Sequence, residues 1–170
     1  SRGMNNVKIA NGKIPNEYIV SGYSTISNFN NPFQIKIAAH GSSTGFTGLQ
    51  NGEADIAMSS RPIKKEELAA LDRLGDMQSE RAEHAIAIDG LAILVNPQNP
   101  IRSLTITQVA KIFSGEITNW REIGGIDKTI SLYARNDNSG TWDTFKELVL
   151  AGNYTLALTA KRFESSDELA

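Results

Sequence analysis

Ile37-Ala38-Ala39-His40-Gly41-Ser42-Ser43-Thr44-Gly45-Phe46 is the stretch on which the fold turns. Leading into it, Phe33-Gln34-Ile35-Lys36-Ile37-Ala38-Ala39 alternates, with Phe33, Ile35 and Ile37 on one face, and this period of two reads as a strand. Gly41 breaks the strand, and Thr44 to Gln50 reads as a short helix stopped by Asn51-Gly52. The first N–H groups of a helix have no intrahelical acceptor and carry the positive end of its dipole. Ser42, Ser43 and Thr44 add hydroxyl donors beside them, and Gly41 and Gly45 have no Cβ to hold a guest away. Such a turn fits a phosphate-like oxyanion without a metal. An ordinary Ser/Thr N-cap, with glycines kept for packing, reads the same way. No Lys follows the glycines where a Walker P-loop needs one.

A second segment repeats the pattern. In Tyr133-Ala134-Arg135-Asn136-Asp137-Asn138-Ser139-Gly140-Thr141, a strand from Ile130 to Ala134 gives way to a helix from Thr141 to Leu150, ended by Gly152. Arg135 offers a planar donor fork that matches two oxygens of a tetrahedral anion. Ser139 and Thr141 add hydroxyls, and Gly140 lets backbone N–H groups approach. An Arg on a solvated strand end beside a plain cap is the alternative. Ser59-Ser60-Arg61-Pro62 ends the apolar run Ala54-Asp55-Ile56-Ala57-Met58, which reads as a buried parallel strand. Ser59 and Ser60 then reach a cleft or form a polar turn forced by Pro62, and Arg61 pairs with a carboxylate such as Asp55 or Asp137.

Bulk composition bounds the function. The 170 residues are 40% apolar and 21% charged with a net charge of −2, a globular chain and not a disordered one. No basic run exceeds two residues, which argues against nucleic acid as a partner. There is no Cys and there are two His, so thiolate sites, His-based metal sites and a Ser/His/Asp triad are poorly supplied. No metal or cofactor is implied. No apolar run approaches the roughly 18 residues of a membrane span, so membrane insertion is not expected. No basic-then-apolar export signal opens the chain, and Ser1-Arg2-Gly3-Met4 reads as a vector remnant ahead of a start at Met4.

The rest of the chain alternates. Val7 to Ala10 and Tyr18 to Val20 are apolar pieces separated by the turn chemistry of Asn11-Gly12 and Pro15-Asn16, and Asn28 to Pro32 reads as a loop. Lys64 to Leu74 reads as a helix with Leu68, Leu71 and Leu74 on one face; His84 to Ile88 and Leu91 to Val95 read as strands. Asn96-Pro97-Gln98-Asn99-Pro100 is the best lobe boundary. Thr105 and Gln108 have capping-box spacing, and Ile106, Val109, Ala110 and Phe113 then recur on one helical face. Phe145, Leu148 and Val149 face inward from the last helix. His40, Trp120 and Trp142 read best as structural side chains. Strands alternating with helices give an α/β class with mostly parallel sheets, whose ligands gather beyond the C-terminal strand ends.

Taken in order over Phe33 to Ala170, the chain resembles the phosphate-binding periplasmic proteins of phosphate ABC transporters. The strings that carry this are Ile37 through Phe46, Gly52 through Pro62, Asp89 through Pro97, Ile112 through Trp120, and Tyr133 through Thr141. The resemblance implies two α/β lobes, residues 4–95 and 96–170, closing on phosphate, with the strand ending at Val95 as a hinge crossing. It implies Ser42, Ser43, Thr44 and Ser60 as donors from lobe one, and Arg135, Ser139, Gly140 and Thr141 from lobe two. It also implies a non-catalytic protein working in the periplasm. Three departures stand out. Ser60 occupies a place where many members carry an acidic residue. The opening segment lacks the family's first long helix, so lobe one reads as incomplete. The chain also stops where the family continues. A shortened sheet exposes edges, which leads to the expectation of a homodimer or higher oligomer. A module that keeps the fold and oligomerises, but has lost tight anion binding, is the alternative.

Overall fold

The computed structural model describes residues 3–26 and 31–169. Ser1 and Arg2, half of the expected vector remnant, lie outside the described residues, as do Asn28 to Asn30 of the expected loop; Asn31 and Pro32 already belong to a strand. The chain separates into two compact units, residues 1–40 and 41–170. The expected boundary at Asn96 to Pro100 lies within the second.

The first unit is a three-stranded antiparallel meander, β1 (Met4–Asn11), β2 (Glu17–Ser24) and β3 (Asn31–Ala38), in the order β1-β2-β3. The apolar pieces at 7–10 and 18–20 become paired strands because Asn11-Gly12 and Asn16 turn the chain between them. Asn16 sits at φ 62°, and the Gly12 N–H donates to the Glu17 carbonyl at 2.7 Å. β2 and β3 pair without a break from Glu17↔Ala38 to Ser24↔Asn31. His40 meets Glu17 at 3.5 Å, in keeping with a structural histidine.

The second unit holds α1 (Ser42–Asn51), α2 (Lys65–Leu71) continued by a 3-10 turn over Asp72–Leu74, α3 (Ile106–Ser114), and β4 (Tyr133–Arg135). It continues with α4 (Gly140–Phe145), extended by a π turn over Lys146–Leu150, then β5 (Lys161–Phe163) and α5 (Ser166–Leu169). β4 and β5 pair in parallel. The α/β class stands, but the larger sheet is antiparallel where mostly parallel sheets were expected.

α3 forms as its sequence dictates: the Gln108 N–H donates to Thr105 Oγ1 at 3.1 Å, the Gln108 side chain accepts from the Thr105 N–H at 2.8 Å, and Gly115 ends the helix at φ 82°. Its buried face packs on a core of Val109, Ala134, Trp142, Phe145 and Leu150. Phe113 and Phe145 lie 4.6 Å apart between ring centroids.

Four expectations need correction. Residues 54–58, 84–88 and 91–95 are not strands, and Ile56, Ile86 and Ile88 are 80%, 95% and 103% exposed. An apolar run becomes a strand only when a neighbour takes its backbone hydrogen bonds, and among the described residues β4 pairs with β5 alone. Leu148 faces solvent, and Leu150 is buried in its stead. The π turn widens the helix past Phe145, so the inward-facing position falls later than a 3.6-residue period predicts.

Candidate functional site

The two hydroxyl-bearing turns converge. The Ser43 N–H at the start of α1 reaches the Asn138 carbonyl at 3.4 Å. Gly41, at φ 137°, directs its missing Cβ into the Asn138 carbonyl oxygen. A Cβ on Gly140 would overlap Ser42 Oγ and come within 2.5 Å of Ser60 Oγ. Ser42, Ser60 and Gly140 therefore share one small volume, and no side chain larger than hydrogen fits at position 140 without moving the serines. Ser42 and Ser139 are buried.

Three serines here each accept one hydrogen bond from the protein. Ser42 Oγ accepts from the Ser60 N–H at 3.2 Å, and the two hydroxyl oxygens lie 3.5 Å apart. Ser139, the N-cap of α4, accepts from the Trp142 N–H at 3.3 Å. Ser43 Oγ accepts from Arg61 at 3.0 Å. A hydroxyl that accepts once keeps its own O–H and a second lone pair, and in the Ser42–Ser60 pair either hydroxyl can be the donor. The Gly140 and Thr141 N–H groups, in the first turn of α4, have no intrahelical acceptor. The two turns thus bring serine hydroxyls and first-turn N–H groups together around Gly140.

Not every expected residue takes part alike. The Thr44 hydroxyl donates to the Gly41 carbonyl at 2.6 Å and closes its own turn. Ser59 donates to the Arg61 carbonyl at 2.6 Å, so it belongs to the polar turn ahead of Pro62. Gly45 and Gly48 turn their bare faces to Ala57 and Ala54, at 3.1 and 3.0 Å from an added Cβ, which makes them packing glycines. Arg135 ends β4, donates to Ser166 Oγ at 2.9 Å, and keeps its Nε buried without a partner among the described residues. Arg135 and Thr141 both line a cavity of about 510 Å³ whose walls include Leu91, Val109, Phe113 and Trp120. Trp142 is core: its indole N–H donates to Asp137 at 3.1 Å, and Arg162 lies over its ring.

Charge is concentrated beside the turns. Arg61 pairs with Glu67 at 2.6 Å and Asp143 at 2.8 Å, and not with Asp55 or Asp137; Lys64 and Lys146 also hold Asp143, at 2.7 and 2.9 Å. Burial pushes the Asp143 carboxyl up, but hydrogen bonds from Lys64 and Lys146 outweigh it and leave it below the usual carboxylate value. Burial likewise opposes Glu67, which the Arg61 hydrogen bond brings below its ordinary value. Among the described residues no group of His, Asp or Glu is arranged to hold a metal, and no helix is long and apolar enough to cross a membrane.

Residues 2–167 match the family described as a PBP superfamily domain. The chain belongs to the PBP superfamily. Relatives within reach of this PBP domain include Protein SphX of Synechococcus elongatus, 38% identical over 127 residues, covering 71% of this chain and 37% of SphX. The phosphate-binding protein PstS of Borreliella burgdorferi is 34% identical over 148 residues, covering 79% of this chain and 50% of PstS. Among solved structures, a phosphate ABC transporter substrate-binding protein from Clostridium perfringens, with bound phosphate, superposes at a TM-score of 0.64 with 35% identity; the match covers 75% of this chain and 49% of that one. An ABC-type phosphate transport receptor from Vibrio cholerae follows at 0.54 and 35%, covering 76% and 50%. The PBP domain thus spans half or less of the length of these relatives. These neighbours bear out the periplasmic-binding-protein-like α/β fold expected from the ordered motifs.

Sequence reasoning missed Glu67 and Asp143 as partners of Arg61 in this PBP domain. A signal existed for Glu67, which stands three residues after Lys64 and accepts its N–H at 2.9 Å, the spacing of a helix start. Asp143 carried one only toward Lys146, three residues on; its other partners, Arg61 and Lys64, come from distant sequence.

Proposed function

We propose that this chain binds phosphate or a similar tetrahedral oxyanion, without catalysis, between the turn at 41–45 and the turn at 139–141. The donors in this reading are the hydroxyls of Ser42, Ser43, Ser60, Ser139 and Thr141, the backbone N–H groups of Gly140 and Thr141, and the guanidinium of Arg135. Thr44 contributes by closing its turn. The observation that carries the reading is the approach of Ser42 and Ser60 to Gly140, so close that a Cβ is excluded. Hydrogen bonds to a charged group each contribute roughly 1.5–3 kcal/mol, so a handful suffices for tight capture. The two turns come from either side of Asn96 to Pro100, and the division into lobes 4–95 and 96–170 belongs to the same reading. So does work in the periplasm, as part of phosphate uptake. Calorimetric titration of anion-free protein with phosphate and with sulfate tests it. Heat that saturates at one equivalent is expected for phosphate, and silence toward both anions rejects the proposal.

A second reading rests on a different observation. Ile56, Met58, Ile86, Ile88 and Leu158 are each exposed, apolar side chains available for self-association. On this reading the chain is an interaction module that forms a homodimer or higher oligomer and binds anions weakly. Light scattering at micromolar concentration decides: a dimer mass independent of phosphate supports it, and a strictly monomeric mass removes it.

A further inference from the structure

Arg61 has five N–H donors, and all five are used. Its Nε donates to Asp143 Oδ2 at 2.8 Å. One terminal nitrogen donates to Glu67 Oε2 at 2.8 Å and to the Pro62 carbonyl at 2.9 Å. The other donates to Glu67 Oε1 at 2.6 Å and to Ser43 Oγ at 3.0 Å. The side chain is 5% exposed and lies over the Phe46 ring. A guanidinium filled in this way has nothing left to offer a guest, although it stands beside the anion-suited turns.

What it does offer is a rigid link. Ser43 is the second residue of α1 and Asp143 lies in the first turn of α4. Asp143 is itself pinned by Lys64 and Lys146, and Glu67 grips the fork from α2. Ser43 accepts from this fixed fork, so its O–H is directed away from Arg61. We propose that Arg61 is a positioning residue for anion binding: without touching the anion, it sets the spacing of the 41–45 and 139–141 turns and holds Ser43 as a donor. This rests on the anion-binding reading above. Lys cannot substitute, since an ammonium cannot span two carboxylates and a hydroxyl in a planar fork.

The test is a double-mutant cycle on phosphate affinity, read by calorimetry on folded, anion-free protein well below its melting temperature. Arg61→Lys weakens phosphate binding by about tenfold, and Ser43→Ala by a similar factor; the double variant is no weaker than the worse single, because the two act as one unit. A purely structural Arg61 gives a lower melting temperature with an unchanged phosphate Kd, or losses that multiply in the double variant, and either result overturns the inference. If Arg61→Lys does not fold, Glu67→Gln takes its place in the same cycle, with the same two outcomes deciding. Wild-type protein that ignores both phosphate and sulfate overturns the anion-binding reading and this inference with it. Wild-type protein that binds, beside an Arg61→Lys variant that binds equally well, overturns this inference alone.

Discussion

Gly140→Ala is the sharpest probe of the convergence of the two turns. The new Cβ would overlap Ser42 Oγ, lie 2.5 Å from Ser60 Oγ and 3.0 Å from Ser42 Cβ. Ordinary contacts of a carbon begin near ~3.5 Å, so Ser60 Oγ has to retreat by roughly 1 Å. Ser42 has two ways to yield. It can rotate its hydroxyl, which abandons the bond it accepts from the Ser60 N–H at 3.2 Å and costs about 1 kcal/mol. It can also move its backbone with the start of α1, which costs about 1–3 kcal/mol as overpacking. The expected destabilisation is about 2 kcal/mol. Trp120 and Trp142 both lie in the 41–170 unit, so tryptophan fluorescence in urea reports on the unit that holds the turns. With a slope of ~2 kcal/mol per molar urea, the midpoint falls by about 1 M. Gly90→Ala is the control: nothing lies within 4 Å of its added Cβ, and its stability stays within about 0.5 kcal/mol of wild type. If Gly140→Ala unfolds where Gly90→Ala does, Ser42 and Gly140 are not in contact in solution and the anion site loses its geometric basis.

Asp143→Ala removes the shared partner of Arg61, Lys64 and Lys146. The two lysines rehydrate and Arg61 keeps Glu67, so the loss is at the low end for a broken buried pair, about 3 kcal/mol by urea titration. Glu67 and Asp143 both have lowered folded-state values, so their contribution is complete above the unfolded carboxylate value near ~4 and is lost as pH falls through the folded values. Stability measured against pH therefore drops below about pH 4, and Glu67→Gln makes that drop shallower. Thr105→Ala removes the N-cap of α3 and lowers stability by about 1 kcal/mol, or roughly 2–4 °C in melting temperature.

The parts of the fold legible in the sequence are those governed by local rules. The Thr105 to Gly115 helix follows from its capping box, its apolar face and its terminal Gly. β3 follows from alternation, and the hairpin before it from Asn-Gly and Pro-Asn turn chemistry. The two anion-suited turns were visible as paired strand-to-helix junctions, and their meeting at Ser42 and Gly140 is the non-local fact that spacing alone does not contain. Where non-local pairing decides, local reading fails. Ile56, Ile86, Ile88 and Leu94 have strand chemistry, yet strands are made by neighbours, and among the described residues these runs have none. Leu148 was placed inward by a 3.6-residue period that the π turn interrupts. Gly45 looked like a vacancy left for an anion and is filled by Ala57.

The arginines beside the turns sort themselves by spare capacity. Arg61 is saturated by Asp143, Glu67, Ser43 and Pro62. Arg162 is engaged by Asp137 and the Arg135 carbonyl. Arg135 has one bond, to Ser166, and a buried Nε with no partner among the described residues; Asn136 Oδ1 beside it is in the same condition. Leaving a buried donor of a charged group unmatched costs ~1–3 kcal/mol or more, a penalty that a fold without use for the group would shed by turning it to water. In the proposed anion-binding role, a guest oxyanion that reaches Arg135 and the first turn of α4 together offsets that cost. Asp137 is committed to Arg162 and Trp142. In the same proposed role, Arg61 fixes the geometry of the turns and Arg135 is left for the guest.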